Sequence, residues 1–497
     1  MAKYVLALDQ GTTGTTAMVI DGAGRIRGRG YGEIRQFFPR PGWVEHDPEE
    51  IFRSVLQQGR AALAAARLKP GELAAIGITN QRETFVVWER ASGRPLHRAI
   101  VWQCRRSAAI CDRLRDREDE IIQRTGLLVD PYFSGTKLKW LLDQDRSLRR
   151  RAARGEICFG TIDSWLIFKL SRGAAFVTDI TNGSRTLLMN LEGRQWDPVM
   201  LELLGVPELM LPRLVPSRGP IAEAAPGMMT DYPVPIGAAI GDQQAALFGQ
   251  GCVRSGEAKV TYGTGAFLLV HTGAQRAHSR NRLLATAALD RRGEPAFALE
   301  GSVFIAGSAI QWLRDELGLI AKSADSLALA RQSRDRTQPY VVPAFVGLGA
   351  PYWDSAARGA IVGITRGTTR ADIVRATLDS IAYQVREVIA SMERDTGRTI
   401  SKLRVDGGAA ANDYLMQFQA DLNGRELVRP RMAETTAMGA GLLAGLATGV
   451  WQSSEELAAL RTIERVFKPT MKKRERAQLL KGWDEAIARV LTRGQKG

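Results

Sequence analysis

Gly241-Asp242-Gln243-Gln244-Ala245-Ala246-Leu247-Phe248-Gly249 is the stretch on which the reading of this chain turns. It follows a proline-bearing approach, Tyr232-Pro233-Val234-Pro235, and an apolar run, Ile236 to Ile240, that reads as a buried strand. After Asp242 the apolar residues take up helical spacing. A carboxylate where a strand gives way to a helix stands where open α/β sheets hold their catalytic side chains. Asp242 there can accept a proton from a bound hydroxyl, and Gln243 can hold a neighbouring oxygen as donor or acceptor. The competing reading is an Asp that only caps the helix.

Outward from this stretch the chain alternates strands with helices. Tyr4–Asp9 reads as an alternating strand, breaks at Gln10-Gly11-Thr12-Thr13-Gly14, resumes at 15–21, and returns at 25–34 after Gly22-Ala23-Gly24, a β-meander. Asp47-Pro48-Glu49-Glu50 is a helix start, with Asp at N-cap and Pro at N1, and the helix runs to about Arg67. Strands follow at 73–79 and 84–89, then helices around 105–116, 136–142 and 162–170. Beyond Gly249-Gln250-Gly251 a strand, a Gly/Thr turn (Gly263-Thr264-Gly265) and a second strand echo the opening. Two α/β domains of related architecture are therefore expected, residues 1–250 and 251–497. In the second, helices are predicted at 306–317, 370–392, 412–422 and 436–446, a strand at 403–406, and a basic amphipathic helix from about Glu475.

The composition sets limits. A chain of 497 residues that is 45% hydrophobic can bury a large core. Its net charge of +15 is spread without aromatic interleaving, which favours a basic surface serving anionic substrates over nucleic-acid binding. Cys104, Cys111, Cys158 and Cys252 lack CxxC pairing and His neighbours, and read as reduced thiols of a cytoplasmic protein. The start of the chain shows no signal-peptide pattern, and no apolar run approaches the ~20 residues of a spanning helix.

Several stretches carry candidate chemistry. In Asp9-Gln10-Gly11-Thr12-Thr13-Gly14, glycine lets backbone N–H groups converge on an anion, and Thr12 and Thr13 add hydroxyl donors. Asp9 can hold Mg²⁺ through water. An ordinary hairpin turn is the alternative. Thr264 repeats the motif, and no GxxxxGK[ST] loop is present, so any ATP is bound without one. Gly407-Gly408 leading to Asn412, between strand and helix, allows close approach by a flat ring or a phosphate, unless Asn412 merely caps the helix. Gly439-Ala440-Gly441 lacks a preceding strand and reads as helix packing. Asn80-Gln81-Arg82-Glu83 sits between strands. There Arg82 and Glu83 could donate to and accept from adjacent hydroxyls of a polyol, or form a surface ion pair. Trp102 and Tyr132 could wall such a site, or be core.

Together these stretches resemble the FGGY family of carbohydrate kinases. Tyr132-Phe133-Ser134-Gly135-Thr136-Lys137-Leu138-Lys139-Trp140-Leu141 matches one family signature, and Gly359 to Ile364 through Leu378-Asp379 the other. Thr79 to Thr84, Ile100 to Arg106, Gly241 to Gln250, Asp406 to Asn412 and Met416 to Asp421 extend the match. The resemblance implies two actin-like (ribonuclease H-like) ATPase domains around a central cleft, the polyol mainly on the first and the nucleotide mainly on the second. It implies ATP-dependent phosphorylation of glycerol with Mg²⁺ and Asp242 as general base. Arg82, Glu83, Tyr132, Asp242 and Gln243 would take the hydroxyls, and Trp102 and Phe267 would back the carbons. Thr12, Thr13, Gly14 and Thr264 would meet the phosphates, and Gly307, Gln311, Gly408 and Asn412 would lie along the nucleoside and α-phosphate. Asp9 and Asp242 stand where the family keeps its metal. Glycerol and ATP/ADP are thus the expected partners, with no nucleic acid and no membrane insertion, in a cytoplasmic homodimer or homotetramer. Two departures stand out: Thr16 replaces an arginine usual in the family's phosphate turn, and Met228 to Pro233 lacks the Gly/Arg-bearing loop with which some members of the family bind fructose 1,6-bisphosphate. A kinase for a longer polyol and a catalytically silent sensor are the competing functions.

Overall fold

The computed structural model describes residues 3–354, 356–400, 402–432 and 434–492. Two large sheets carry the molecule. The first is formed by β1 (Tyr4–Gln10), β2 (Gly14–Asp21), β3 (Ile26–Glu33), β4 (Leu73–Asn80), β5 (Arg218–Ala224) and β6 (Val234–Gly241), in the order β5-β6-β4-β1-β2-β3. β1, β4 and β6 run parallel, while β2, β3 and β5 are antiparallel to their neighbours. The second is formed by β7 (Ala258–Tyr262), β8 (Ala266–Gly273), β9 (Leu284–Leu289), β10 (Pro295–Val303), β11 (Lys402–Asp406), β12 (Glu426–Pro430) and β13 (Ile463–Phe467), in the order β9-β10-β8-β7-β11-β12-β13. Here β7, β11 and β12 run parallel, with an antiparallel meander through β8 and β10 and an antiparallel β13 beyond. Strand for strand, β3-β2-β1-β4-β6-β5 repeats as β10-β8-β7-β11-β12-β13. This is the duplicated actin-like arrangement that the resemblance implies. A smaller five-stranded sheet, including Phe85–Glu89 and Ile157–Thr161, is added to the first half together with helices α2 (Ser134–Gln144) and α3 (Ile162–Leu170).

β1 departs from the alternating pattern expected of it. Val5, Leu6, Ala7 and Leu8 are all fully buried, because both faces of the sheet are covered. One cover is α1 (Pro48–Ala66), which starts as expected: the Asp47 side chain accepts from Glu49 and Glu50 N–H groups, with Pro48 in the first turn. The other cover comes from far along the chain. Helix α8 (Thr435–Thr448) crosses back to pack on β1, β4 and β6 and on α4 (Asp242–Gly249). Glycines on both sides allow that approach: a Cβ on Gly439 of α8 would lie 2.0 Å from the Ala245 carbonyl oxygen, and one on Gly77 of β4 would lie 2.3 Å from that of Ala440. Close helix packing is therefore what Gly439-Ala440-Gly441 provides, as its sequence suggests. The strands divide at about residue 250, but α8 carries the later part of the chain into the first half.

In the second half, α5 (Gly307–Asp315), α6 (Arg370–Thr396) and α7 (Asp413–Asn423) surround the sheet. Thr369 and Asp372 close a capping box at the start of α6. Tyr383 of α6 stacks on Trp483 of α9 (Lys473–Ala488), with ring centroids 4.9 Å apart and planes 8° from parallel.

Candidate active site

Register decides what meets what at the carboxyl ends of the parallel strands. Gln10 of β1 and Gly241 of β6 both stand opposite Asn80 of the intervening β4. Asp9, the 81–83 loop and Asp242 therefore emerge side by side at one edge of the sheet. Gln81 stitches the loop down, its N–H on the Gln10 carbonyl at 2.8 Å and its Nε2 on Gln10 Oε1 at 3.1 Å.

Asp242 is the first residue of α4, and Gly241 occupies the N-cap without a side-chain cap. The capping reading of Asp242 thus falls. Its Oδ1 accepts from the Gln243 N–H at 2.7 Å and faces Arg82 Nε at 3.1 Å, while 30% of the side chain stays reachable by solvent. Gly241 leaves space for Arg82, since a Cβ there would lie 2.8 Å from that side chain. Burial raises the Asp242 carboxyl above its ordinary value, against the pull of Arg82 and Lys259. Asp9 is pushed up to about 7, first by burial and then by the charge of Asp242.

The Arg82-Glu83 pair lies at the core of the molecule, with each residue 2% exposed, so the surface ion-pair reading also falls. Arg82 forks onto Glu300 with Nη1 to Oε2 at 2.6 Å and Nη2 to Oε1 at 3.0 Å. Arg185 donates its Nε to Glu83 Oε1 at 2.6 Å and its Nη2 to Glu300 Oε1 at 3.0 Å. Burial raises the Glu83 carboxyl despite Arg185 and Arg82; for Glu300 the two arginines outweigh burial and hold it at about 2. Glu83 adopts a left-handed backbone, φ 61°, a conformation that costs energy for a non-glycine residue and concentrates at working sites.

The aromatic residues converge as expected. Trp102 meets Tyr132 edge-on at 5.5 Å and Phe267, from the second half, at 6.4 Å. Its Nε1 donates to Thr12 Oγ1 at 2.9 Å, tying the aromatic wall to the first hairpin turn. Gln243 is not free on both sides: its Oε1 accepts from the buried Lys259 Nζ, which also donates to Thr261 Oγ1 at 2.8 Å. Burial lowers that ammonium to about 8, against the pull of Asp406 and Asp242.

On the facing half, the Thr264 carbonyl takes the N–H groups of Ala306 and Ser308, at 2.9 and 3.1 Å, so the second hairpin turn is docked on the start of α5. Gly307 permits this, because a Cβ would come within 2.5 Å of the Gly263 oxygen. Thr13 and Thr264 are exposed, as is Gln311 on α5. Gly14 has a packing reason of its own: a Cβ would lie 2.6 Å from the Gly32 oxygen on β3. Gly408 has none, since a Cβ there would meet nothing within 4 Å, and its bareness suits an approaching ligand. Asn412 does cap α7, its Oδ1 accepting from Leu415 N–H at 3.1 Å, while its Nδ2 reaches Ser326 Oγ at 3.2 Å. Thr16 stands opposite Asp9, and Arg29, further along β3, is tied to Glu434 at 2.8 Å.

Among the described residues no group of three or more His, Cys, Asp or Glu side chains forms a metal site by itself. Asp9 and Asp242 nevertheless suit Mg²⁺, which keeps part of its water shell and completes its coordination with phosphate oxygens. Burial is the main cause of the rise in Asp9, and the added repulsion from Asp242 is what a bound cation would relieve. Cavities of about 570 Å³ (Ser171, Phe176, Pro226) and about 300 Å³ (Arg331, Arg336, Tyr414) contain none of these residues, so volume does not mark the site.

Arg185, Lys259 and Glu300 were not expected from the sequence. The available signal was a lone charge inside an otherwise apolar strand, Lys259 in Ala-Lys-Val-Thr-Tyr and Glu300 in Ala-Leu-Glu-Gly-Ser. A charge in such a place has to be paired.

A duplicated actin-like fold with acids placed where residues of its two halves meet is the arrangement of a phosphotransferase of the sugar-kinase type. The comparisons agree. Residues 4–249 match the N-terminal domain of the FGGY family of carbohydrate kinases, and residues 258–448 match its C-terminal domain. This chain belongs to that family. It is 54% identical over 494 residues to glycerol kinase 2 of Pseudomonas aeruginosa, covering 99% of this chain and 97% of the relative. It is 52% identical over 491 residues to glycerol kinase of Stenotrophomonas maltophilia, covering 98% of each. The solved glycerol kinase of Plasmodium falciparum with ADP superposes with a TM-score of 0.93 at 34% identity, over 99% of this chain and 98% of that one. Xylulose kinase of Lactobacillus acidophilus, at 22% identity and a TM-score of 0.86, shares the fold. Among the described residues no helix is long and apolar enough to cross a membrane.

Proposed function

We propose that this chain transfers the γ-phosphoryl group of ATP to a terminal hydroxyl of glycerol, giving sn-glycerol 3-phosphate and ADP, with Asp242 as the general base. The observation that carries the reading is the position of Asp242. Its carboxylate faces Arg82 through Oδ1, keeps 30% of its side-chain surface open, and stands beside Asp9 and the 81–83 loop at one sheet edge, while Trp102 joins Tyr132 and Phe267 to the first threonine-bearing turn.

Glycerol lies against that wall, its hydroxyls taken by Arg82, Glu83, Tyr132, Asp242 and Gln243. A wall of three rings suits a three-carbon chain and leaves little room for a five-carbon ketose. Thr12, Thr13, Gly14 and Thr264 receive the phosphate tail, and Gly307, Gln311, Gly408 and Asn412 line the path of the nucleoside. Asp9 and Asp242 would hold Mg²⁺, which, when bound, neutralises charge on the phosphate oxygens.

A glycerol hydroxyl is a poor acid, so phosphoryl transfer depends first on in-line positioning. The hydroxyl oxygen attacks the γ-phosphorus as the bond to the ADP oxygen breaks. Asp242 orients the hydroxyl throughout and takes its proton late. The upward shift that burial gives Asp242 makes it a better acceptor for that proton. Four unpaired, buried thiols fit a reducing compartment, the cytoplasm, where ATP is at hand.

The test is ADP release with Mg-ATP across glycerol, erythritol, xylulose and ribulose. Glycerol is expected to give the highest kcat/KM. Preferred turnover of a five-carbon ketose would overturn the substrate, and binding without turnover would overturn the enzyme.

A further inference from the structure

Glu300 lies on β10 in the second half, 218 residues from Arg82, and is wholly buried. It exposes no surface to solvent, and its two oxygens take three arginine nitrogens from the first half: Nη1 and Nη2 of Arg82, and Nη2 of Arg185. Each arginine then turns its Nε to a different carboxylate, Arg82 to Asp242 at 3.1 Å and Arg185 to Glu83 at 2.6 Å. These two carboxylates are the ones assigned above to the polyol.

A guanidinium seeks a two-pronged grip on a carboxylate. With its Nη pair on Glu300, and Nη1 also donating to Gln244 Oε1 at 3.2 Å, Arg82 approaches Asp242 most closely through Nε. Arg185 likewise reaches only Oε1 of Glu83. Without Glu300, the freed fork of Arg82 stands next to Asp242, and the freed Nη2 of Arg185 next to Glu83. The strongest pairing open to each is then both oxygens of the carboxylate that should face the substrate.

We propose that Glu300 is a positioning residue supplied by the second half: by occupying both Nη nitrogens of Arg82 and Nη2 of Arg185, it leaves Asp242 and Glu83 each with an oxygen for the polyol. The inference rests on the roles given to Asp242 and Glu83 in the proposed reaction. Strand pairing adds a reason for Glu300 to come from this hairpin. On β8, Phe267 stands opposite Ser302 and Leu269 opposite Glu300, so one pair of strands delivers both the arginine clamp and part of the aromatic wall. Seating the second half on the first thus sets the charges and closes the wall together.

A purely structural role, balancing two buried cations, makes a different prediction. It would lower stability and the active fraction without singling out one substrate. The experiment measures kcat, KM for glycerol and KM for Mg-ATP in Glu300→Gln and Glu300→Asp, with ADP binding by calorimetry counting folded sites. In Glu300→Gln, KM for glycerol should rise about tenfold or more and kcat per folded site fall about 10–100-fold, while KM for ATP stays within about twofold. Glu300→Asp keeps the charge and should recover several-fold of the lost kcat/KM. If Glu300→Gln does not fold, Glu300→Asp carries the test, and it should show a smaller loss with the same selectivity, in KM for glycerol and kcat but not in KM for ATP. Kinetic constants for glycerol within about twofold of wild type, or both KM values rising together, would overturn the proposal. If wild-type enzyme prefers another polyol, the substrate assignment fails separately, and the same comparison is read with that polyol.

Discussion

Asp242 shows how far one residue can be read before its surroundings are known. Its position after an apolar run left a catalytic acid and a helix cap both open, and the structure removes the cap, because the carboxylate accepts from the Gln243 N–H and faces Arg82 rather than closing the helix end. Asp242→Asn keeps the shape and loses the base, so kcat should fall about 10²–10⁴-fold with the melting temperature nearly unchanged. A variant within about tenfold of wild type would move the proton to another group. Arg82, Glu83, Trp102, Tyr132 and Phe267 were also legible, through local motifs and the family resemblance. Arg185, Lys259 and Glu300 were not, because the contacts that give them meaning span 16 to 218 residues of sequence and leave no periodic trace. The glycines divide in the same way. Gly14 and Gly307 sit under neighbouring backbone atoms, whereas Gly408 faces open space, and no sequence rule separates those cases.

At the scale of the element, the parts with strong local chemistry were readable and the parts set by burial were less so. The capped starts of α1 and α6 formed where Asp47-Pro48 and Thr369 place them. The alternation expected in β1 is missing, because covers on both faces remove any polar side. One of those covers is α8, whose glycines set its distance from α4. Gly439→Ala puts a methyl carbon 2.0 Å from the Ala245 oxygen, and the backbones must move apart. Thermal or urea unfolding should show a loss of about 1–3 kcal/mol or more, and an unchanged midpoint would refute the contact. A second prediction joins α6 to α9. Glu387 accepts from Tyr352 Oη at 2.5 Å and from Trp483 Nε1 at 2.7 Å, and burial lifts its carboxyl from 4.5 to about 7, with Asp484 adding to the rise and Arg386 opposing it. The folded chain therefore keeps this proton at pH values where the unfolded chain has lost it. Stability from this group falls as pH rises from 4.5 to about 7 and is level above that. Glu387→Gln should gain on wild type across that window, by on the order of 1–3 kcal/mol at pH 8, the upper figure being discounted because the side chain is partly open to water. Unfolding at pH 5 and pH 8 tests it, and a difference that is constant or reversed with pH would refute it.

At the scale of the molecule, the duplication was faintly visible in sequence and is plain in topology. Two short strand–turn–strand echoes hinted at it, whereas the matched orders of six strands establish it. What the sequence hid is that the halves are interleaved. A cut at residue 250 respects the strands but removes α8 from the face of β1, β4 and β6. Val5, Ala7, Met18, Ile20, Ala238 and Ile240 pack there with Ala440, Leu443 and Ala444 in one core cluster. Residues 1–250 alone would expose that apolar face, and the buried Arg82 and Arg185 would lose Glu300. Uncovering apolar surface and leaving buried charges unpaired are both expensive. The isolated fragment should accordingly lack a cooperative thermal transition and should aggregate. Joining residues 430–460 to it by a flexible linker should recover a cooperative transition at a lower midpoint than the full chain's, since that segment supplies the missing cover while Arg82 and Arg185 still lack Glu300. A fragment 1–250 that melts cooperatively by itself would show that α8 is an accessory to the first half rather than part of its core.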